Sequence, residues 1–370
     1  MFVSEKVSGT LFHQLIVNLS FLLAQPTGIS TYATNLIPQL QSLDPVLLVA
    51  RAIADFNCYA IPSNLTPARG TKGHLQRLLW TQLQLPKIYR RLNASLLFSP
   101  VTEAPIYQNL RYIVMCHDLI PLRFPRPYSP LTNYFRFVVP QVLQQAEHII
   151  CNSEATAKDI TNFYGISPQK ITSILLAYDD KHFVPISQTT KANSSPYFLY
   201  IGRHDPYKNL HRSIAAFAKI PNQDYQLWLA GSPDRRYTPQ LQQQVAELGI
   251  QNRVKFLDYV SYEELPLIIS RAIALVFPTL WEGFGLPVLE AMACGTPVIT
   301  SNLASLPEIT GDAAILINPY NSAEIAAAME TIASDSILRS RLSALGCQQA
   351  SKFSWAKTGE KTREILEQYA

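Results

Sequence analysis

Short apolar runs alternate along this chain with longer segments of helical periodicity. In the N-terminal half the apolar runs lie at 46–50, 94–98, 112–116, 147–151 and 173–177. Short runs rich in β-branched and aromatic residues are typical of parallel strands buried on both faces. The segments between them, such as 131–146 and 154–163, have the apolar spacing of helices. This alternation predicts βαβ units under a parallel sheet.

A second series of such runs follows a polar tract at 186–196. These runs lie at 197–201, 225–230, 253–257, 273–278, 297–300 and 313–317. The tract has no hydrophobic periodicity and is therefore the best candidate for a linker between domains. We predict a Rossmann-like domain over 1–185, a linker over 186–196 and a second Rossmann-like domain over 197–354, with a ligand cleft between the two domains.

The length and composition of the chain are consistent with two hydrophobic cores. The chain has 370 residues, of which 48% are hydrophobic and 16% charged, and it lacks an apolar run of about 18 residues. Polar residues interrupt the stretch 11–24, which predicts a buried first strand rather than a targeting segment. The five cysteines are far apart and lack the spacing of zinc ligands, which indicates a reduced, cytoplasmic compartment.

The N-terminal part of the chain is basic. Residues 1–136 carry 12 Lys and Arg against 5 Asp and Glu, and the segment 69–91 has six Lys or Arg, one His and no acid. Five apolar residues recur there at helical spacing: Leu75, Leu78, Leu79, Trp80 and Leu83. Two interpretations stay open, a helix that docks on anionic lipid or a surface helix that buries these residues in its own domain. Nucleic-acid binding is not indicated, because no recognition motif accompanies the charge.

The segment 277–298, FPTLWEGFGLPVLEAMACGTPV, carries the most specific chemistry. A strand ends there, a glycine-rich turn follows, and a helix begins near Leu286. Gly283 and Gly285 allow close backbone approach, and the N–H groups and dipole of a helix N-terminus attract anions. This arrangement suits a diphosphate, although an isolated E-G-x-G string more often belongs to a plain turn between strand and helix.

This segment resembles the signature of the large family of retaining glycosyltransferases with the GT-B fold, called glycosyltransferase group 1 or family 4. The hallmark of that family is two glutamates separated by seven residues, here Glu282 and Glu290. The resemblance implies two Rossmann-like domains that face each other across a cleft. It also implies that Glu282 binds the hexose of a nucleotide-diphosphate sugar and that Glu290 holds the ribose hydroxyls. The donor site would be completed by Gly283, Phe284, Gly285 and Leu286.

The resemblance extends to the segment 199–210, LYIGRHDPYKNL. Arg203 and Lys208 match the basic pair that holds the donor diphosphate in the family, although charges in such loops are usually only solvated. No Asp-x-Asp motif occurs in the chain, so these two cations and a helix N-terminus would supply the positive potential that a divalent ion provides in other transferases. We therefore expect neither a metal nor another cofactor.

The segment 112–122, YIVMCHDLIPL, places His117 and Asp118 at the carboxyl end of a predicted strand. Open α/β sheets bind ligands at such strand ends. Taken alone, His117 also fits a half-buried histidine with satisfied hydrogen bonds. The H-D-L-I-P string resembles a group of transferases that build cell-surface polysaccharides, and this resemblance implies that His117 contacts the sugar.

Weaker matches cover most of the remaining chain. In 26–40, Gly28 would approach the phosphates through its backbone, but Ser30 replaces a common second glycine. The segment 256–266 contains Val260, and its counterpart in the family lines the pocket of the nucleotide base. The segment 302–312 also matches weakly, after the strand-like run 297–300.

The resemblance implies that the last helix, 355–370, crosses back and packs on the N-terminal domain. Together these matches imply a retaining, metal-independent hexosyltransferase that uses UDP-glucose or GDP-mannose, with a marginal preference for UDP-glucose. The acceptor would be a saccharide or lipid-linked saccharide in cell-surface polysaccharide synthesis, and the protein would be cytoplasmic or peripheral on the inner face of the membrane. A nucleotide-sugar epimerase, a hydrolase of the same fold or a non-catalytic subunit remain the alternatives.

Overall fold

The computed structural model describes residues 14–22, 28–66, 70–186 and 195–370. The strands of these described parts are β1 (Gln14–Asn18), β2 (Val46–Val49), β3 (Asn57–Ala60), β4 (Ala94–Ser99), β5 (Tyr112–Cys116), β6 (His148–Cys151), β7 (Ile171–Ser173), β8 (Tyr197–Ile201), β9 (Gln226–Ala230), β10 (Val254–Leu257), β11 (Ala274–Phe277), β12 (Val298–Ser301) and β13 (Ile315–Ile317).

Helices connect these strands. They are α1 (Gly28–Leu36), α2 (Gly70–Leu83), α3 (Leu85–Arg91), α4 (Ile120–Arg123), α5 (Pro130–Phe137), α6 (Val139–Gln145), α7 (Glu154–Tyr164), α8 (Leu210–Phe217), α9 (Thr238–Glu247), α10 (Leu265–Ser270), α11 (Leu286–Ala293), α12 (Leu306–Thr310), α13 (Ser322–Ser334), α14 (Ser336–Ala350) and α15 (Trp355–Tyr369). Short 3₁₀ turns lie at Ile37–Leu43, Ser63–Leu65, Pro168–Lys170, Pro206–Lys208 and Tyr262–Glu264.

The strands form two parallel sheets, one in each half of the chain. The first has the order β3-β2-β1-β4-β5-β6-β7 and the second the order β10-β9-β8-β11-β12-β13. In each sheet the strand order reverses at the first strand of the series, between β1 and β4 and between β8 and β11. Ligands of doubly wound sheets bind beyond the carboxyl ends of the strands at such reversals. The strand order therefore defines one candidate ligand-binding edge on each sheet.

The structure corrects three details of the predicted elements. The strand predicted at 173–177 is the shorter β7, which ends at Ser173, and Ile174, Leu176 and Ala177 are buried after the strand has ended. Burial without strand pairing produces the same apolar run, so the pattern could not distinguish the two. The helix predicted over 131–146 is divided between α5 and α6, because Pro140 has no N–H to donate within a continuous helix. Strand β3, an edge strand with exposed ends, was not predicted.

The C-terminal helix α15 contacts residues of the first half of the chain. The Thr358 hydroxyl donates to the Leu175 carbonyl at 2.8 Å, and the Tyr369 hydroxyl lies 3.1 Å from His148 Nδ1. Of the linker predicted at 186–196, residues 187–194 lie outside the described residues.

The two halves also meet across the cleft. The Ser153 hydroxyl donates to the Gly283 carbonyl at 2.6 Å, and Arg126 forms an ion pair with Asp205. The Glu308 carboxylate accepts from the Glu154 N–H at 3.2 Å, at the start of α7. Among the described residues, no helix is both long and apolar enough to span a bilayer.

Candidate active site

The carboxyl ends of β5, β8 and β11 converge on one pocket of about 360 Å³ between the two sheets. Eight residues singled out from the sequence line it: Gly28, His117, Lys208, Glu282, Gly283, Phe284, Gly285 and Leu286. They come from four separate segments of the chain. The pocket is therefore a product of the two sheets facing each other.

An ion pair lies in this pocket between the loops that follow β8 and β11. Lys208 Nζ is 2.7 Å from Glu282 Oε1, and the two side chains are only 13% and 10% exposed. Asn209 holds the two loops together, since its side-chain amide donates to the Pro278 carbonyl at 2.8 Å and to the Pro319 carbonyl at 2.7 Å. Asn209 has a φ of 64°, in the left-handed region that asparagine tolerates. The loop thus presents Lys208 in a defined position.

The glycine-rich turn brings α11 close to the opposite domain. A Cβ on Gly283 would lie 2.1 Å from the His117 carbonyl oxygen, so only glycine fits there. Gly285 has a φ of 121°, which also favours glycine, and α11 begins directly after it. The N-terminus of α11 therefore opens into the pocket with its positive dipole end and free N–H groups.

His117 enters the pocket from the N-terminal sheet. Its Nε2 lies 2.9 Å from the Pro100 carbonyl, which can only accept, so Nε2 donates and Nδ1 is left as an acceptor. Burial lowers the pKa of His117 to about 4, although the bond to Pro100 opposes this shift. The imidazole is therefore neutral at physiological pH.

Asp118 also lines the pocket, and no site role was assigned to it from the sequence. Its carboxylate accepts from the Ile120 N–H at 2.9 Å. Burial, with a smaller contribution from the negative charge of Glu282, raises the pKa of Asp118 to about 6. Because Asp118 lies beside His117 at the end of a strand, the sequence alone could have predicted it as a site residue. Asn152, which also lines the pocket, carried the same signal because it directly follows β6.

Arg203 does not lie in the pocket of Lys208. Its side chain is 69% exposed, and its Nε lies 3.1 Å from Asp205 Oδ2 in an adjoining cavity. Tyr207 lines both cavities. The basic pair expected from the sequence is thus separated in this structure.

Glu290 and Val260 lie outside the lining of the pocket. Glu290 is half-buried on the second turn of α11, and burial raises the pKa of its carboxyl to about 7. Its charge also contributes to the raised pKa of Tyr262, whose hydroxyl donates to Asp179 at 3.0 Å. Val260 is half-buried against the core two residues before Tyr262. The roles of the residues singled out from the sequence stay predictions.

Two family models match the chain on either side of the cleft. The model described as Glycosyltransferase Family 4 matches residues 26–181, and the model described as Glycosyl transferases group 1 matches residues 186–348. The O-antigen chain mannosyltransferase B of Escherichia coli is 30% identical over 265 residues, which cover 68% of this chain and 69% of that protein. The chain belongs to glycosyltransferase group 1. It is therefore a glycosyltransferase, as predicted.

A second relative covers more of this glycosyltransferase. The O-antigen chain mannosyltransferase RfbU of Salmonella typhimurium is 29% identical over 330 residues, which cover 86% of this chain and 90% of that protein. Its name, like that of the Escherichia coli relative, describes a mannosyltransferase.

Solved structures confirm the predicted GT-B fold. A sucrose-phosphate synthase from Thermosynechococcus elongatus superposes with a TM-score of 0.77 at 20% identity, over 96% of this chain and 98% of that one. The Anabaena protein HepE in complex with UDP-glucose superposes with a TM-score of 0.74 at 18% identity, over 96% and 99% of the two chains. At these identities the likeness concerns the fold of the glycosyltransferase alone.

Proposed function

We propose that this glycosyltransferase moves a mannosyl residue from GDP-mannose to a saccharide acceptor with retention of configuration. The observation that carries the proposal is the Lys208–Glu282 pair at the N-terminus of α11, facing His117 across the pocket. The two O-antigen mannosyltransferases among its relatives favour a mannosyl donor over the glucosyl donor that the sequence marginally favoured.

We propose one orientation for the donor in the pocket. The diphosphate belongs at Lys208 and the N-terminus of α11, because these are the positive groups of the pocket. The sugar then lies between Glu282 and His117, and the nucleoside extends along α11 towards Glu290 and Val260. Rotation of Arg203 away from Asp205 would add a second cation to the diphosphate.

The proposed reaction breaks the bond between the anomeric carbon and the donor phosphate and forms a bond from the same carbon to an acceptor oxygen. The acceptor approaches from the face that the phosphate leaves, and the leaving phosphate takes the proton of the acceptor hydroxyl. Lys208 and the helix N-terminus stabilise the developing diphosphate charge, and Glu282 favours the positive charge on the sugar. Neutral His117 offers Nδ1 to a sugar hydroxyl, which orients the ring.

These cations also support the proposal that no divalent metal is needed. Lys208 and the start of α11 bring positive potential to the pocket, and Arg203 would add to it after rotating away from Asp205. We therefore expect donor binding and turnover to persist in EDTA.

We further propose that α2 and α3 dock the protein on an anionic phospholipid bilayer. The side chain of Trp80 is buried, whereas Leu75, Leu79 and Leu83 are 57%, 53% and 59% exposed. These three leucines recur every four residues and form one stripe on α2. The exposure of these leucines disfavours the alternative in which α2 buries all its apolar residues in its own domain.

Charge favours lipid as the partner of this stripe. Lys72, Lys87, Arg90 and Arg91 are exposed on α2 and α3. The nearby carboxylate of Glu103 does not neutralise them, because it is buried and holds Arg77 through two bonds of 2.6 and 2.7 Å. An apolar stripe flanked by exposed cations matches an anionic membrane surface. Such docking suits a lipid-linked saccharide as the acceptor.

Isothermal titration tests the donor assignment directly. The purified protein is titrated with GDP-mannose, UDP-glucose and UDP-galactose, without metal and again with EDTA, and Glu282→Gln is compared with the wild type for turnover. Selective, EDTA-resistant binding of GDP-mannose supports the proposal. Selective binding of a UDP-sugar would refute the mannosyl donor, and rapid donor turnover without an acceptor would indicate a hydrolase.

A further inference from the structure

Glu282, which the proposed reaction assigns to the donor sugar, lies between two residues that the N-terminal domain contacts. The residue before it, Trp281, packs against Arg123 of α4, and the residue after it, Gly283, accepts hydrogen bonds from the start of α7. From its own domain, the Ser305 hydroxyl donates to the Glu282 carbonyl at 3.1 Å. The donor chemistry described above uses Glu282 but does not account for the contacts on either side of it.

Arg123 stacks on the indole of Trp281. The central carbon of its guanidinium lies 3.3 Å from the centre of the Trp281 ring, which is van der Waals contact between two flat groups. A cation over an aromatic face is attracted by the electrons of the ring, and tryptophan provides the strongest attraction of this kind. The contact crosses the cleft, because α4 belongs to the first sheet's domain and Trp281 follows β11 of the second.

Asp159 of α7 fixes the orientation of this guanidinium. Arg123 Nε donates to Asp159 Oδ2 at 2.7 Å, and Arg123 Nη2 donates to the other carboxylate oxygen. The Asp159 side chain is buried. A two-point bond of this kind defines the plane of the guanidinium, which the ammonium group of a lysine cannot reproduce. Arg123 therefore connects a buried carboxylate of one domain with Trp281 of the other.

The N–H group of Trp281 supports a role for the ring face. Trp281 Nε1 is buried and has no hydrogen-bond partner among the residues that the structure describes. Burial of an unpaired N–H lowers stability, so a phenylalanine would serve packing alone at a lower cost. Stacking with a cation, by contrast, favours the indole over the phenyl ring. The contact with Arg123 thus explains why a tryptophan stands here.

The start of α7 holds the other side of Glu282. The hydroxyl of Ser153, the N-cap residue of α7, donates to the Gly283 carbonyl at 2.6 Å, and the Thr156 hydroxyl donates to the same oxygen at 3.4 Å. Asp159, which orients Arg123, lies on the same helix. Both contacts beside Glu282 therefore depend on the position of α7.

We propose that Arg123 is a positioning residue for the transfer reaction, which holds Glu282 in place by stacking on Trp281. The inference rests on the proposed function, because that function assigns the donor sugar to Glu282. Contacts on Trp281 and Gly283 fix the backbone of Glu282 from both sides. A carboxylate that favours positive charge on the sugar must be held in one place while the bond to phosphate breaks. Arg123 does not touch the donor and acts only through Trp281.

A double-mutant cycle with Glu282→Gln tests this role. Arg123→Lys keeps the positive charge but loses the planar fork, and Trp281→Leu removes the ring without leaving a buried charge unpaired. Arg111→Ala is the matched control, because Arg111 pairs with Glu147 at 3.3 Å within the N-terminal domain. The rate is measured as release of GDP from saturating GDP-mannose, with methyl α-D-mannopyranoside or water as the acceptor.

We expect Arg123→Lys and Trp281→Leu each to lower kcat about 10- to 100-fold, and Arg111→Ala to leave it unchanged. Trp281→Phe, which keeps a ring face, should recover part of the loss. The affinity for GDP should stay within about twofold, since neither Arg123 nor Trp281 lines the donor pocket.

The Glu282→Gln background separates positioning from general stability. There, Arg123→Lys should lower kcat less than about twofold, because the carboxylate that Arg123 positions is already absent. A residue that only stabilised the fold would lower kcat by the same factor in both backgrounds. Equal factors would therefore overturn the inference, and so would wild-type kcat in Trp281→Leu.

Labelling with 5-fluorotryptophan controls for misfolding, because the chain has four tryptophans. In Arg123→Lys only the fluorine signal of Trp281, identified with Trp281→Phe, should shift. If all four signals move, the cycle of Trp281→Leu with Glu282→Gln decides the question instead. A wrong mannosyl assignment is seen separately, as a preference of the wild type for a UDP-sugar, and UDP release from that sugar then replaces GDP release in the cycle.

Discussion

Lys208 Nζ lies 2.7 Å from Glu282 Oε1, in an ion pair that joins the loops after two adjacent strands of the C-terminal sheet. Removal of one partner of a largely buried pair leaves the other charge uncompensated. In the proposed complex Lys208 also faces the diphosphate. The ion pair therefore contributes both to the structure of the two loops and to binding of the donor.

Replacement of Lys208 by alanine should therefore weaken GDP-mannose binding at least about tenfold and lower kcat/KM by about 10²- to 10³-fold. Two negative charges, Glu282 and the diphosphate, would then face each other without a cation. Titration and initial rates measure the two effects. Lys219→Ala, an exposed lysine of the same domain, is the matched control. Wild-type donor affinity in Lys208→Ala would contradict the assignment.

Gly283→Ala should open the cleft. The added Cβ would lie 2.1 Å from the His117 carbonyl, whereas a Cβ on Gly28 would meet nothing closer than 3.8 Å. We expect Gly283→Ala to lower activity more than about 100-fold and to increase the radius of gyration in small-angle scattering, since the backbones of two domains must separate. Gly28→Ala, as the control for shape, should leave that radius unchanged. An unchanged radius of gyration in both variants would contradict this prediction, because local backbone shifts would then relieve the clash without separating the domains.

Donor binding should weaken as the pH falls through the raised pKa of Glu290. In the free protein that pKa is about 7, so the carboxyl is mostly protonated at pH 6, whereas ribose hydroxyls are better held by the ionised form. Titrations with GDP-mannose at pH 6, 7 and 8 should show affinity that rises with pH in the wild type and stays nearly flat in Glu290→Gln. Asp118→Asn controls for the carboxyl inside the donor pocket, whose pKa is about 6.

The same shift has the opposite sign for stability. Because the folded pKa of Glu290 lies above its ordinary value of 4.5, the folded state binds the proton more tightly, and the free energy of unfolding falls as the pH rises from about 4.5 to 7. Thermal unfolding of wild type and Glu290→Gln across this range should show a steeper loss in the wild type. If the unfolding temperatures of wild type and Glu290→Gln changed in parallel with pH, Glu290 would not be desolvated in the folded state.

The leucine stripe of α2 should determine binding to vesicles. Co-sedimentation with vesicles rich in phosphatidylglycerol should drop at least about fivefold when Leu75, Leu79 and Leu83 are all changed to glutamate, because charge and apolar contact are both reversed. Leu248→Glu, at a leucine 43% exposed in the other domain, should leave binding unchanged. Equal binding by the triple variant would refute docking through α2.

The sequence determined most of the local features of this protein. The positions of ten or more strands, the start of α11 and the glycine requirement at Gly285 follow from patterns within a few residues, since strand burial, helix initiation and positive φ are local constraints. Eight of the residues singled out from the sequence line one pocket for a related reason: each lies in the loop, or at the helix start, that follows a strand, and parallel strands end at one edge.

The tertiary structure alone decided which of these residues meet. It paired Lys208 with Glu282 but placed Arg203 beside Asp205, although both cations follow one strand. It buried Trp80 and exposed Leu79. Hydrophobic periodicity could not predict which of these two adjacent apolar residues would be buried. It also stacked Phe124 on Tyr207 from opposite domains. Such contacts join segments far apart in the chain, and their geometry depends on how two sheets pack, which no local pattern of residues encodes.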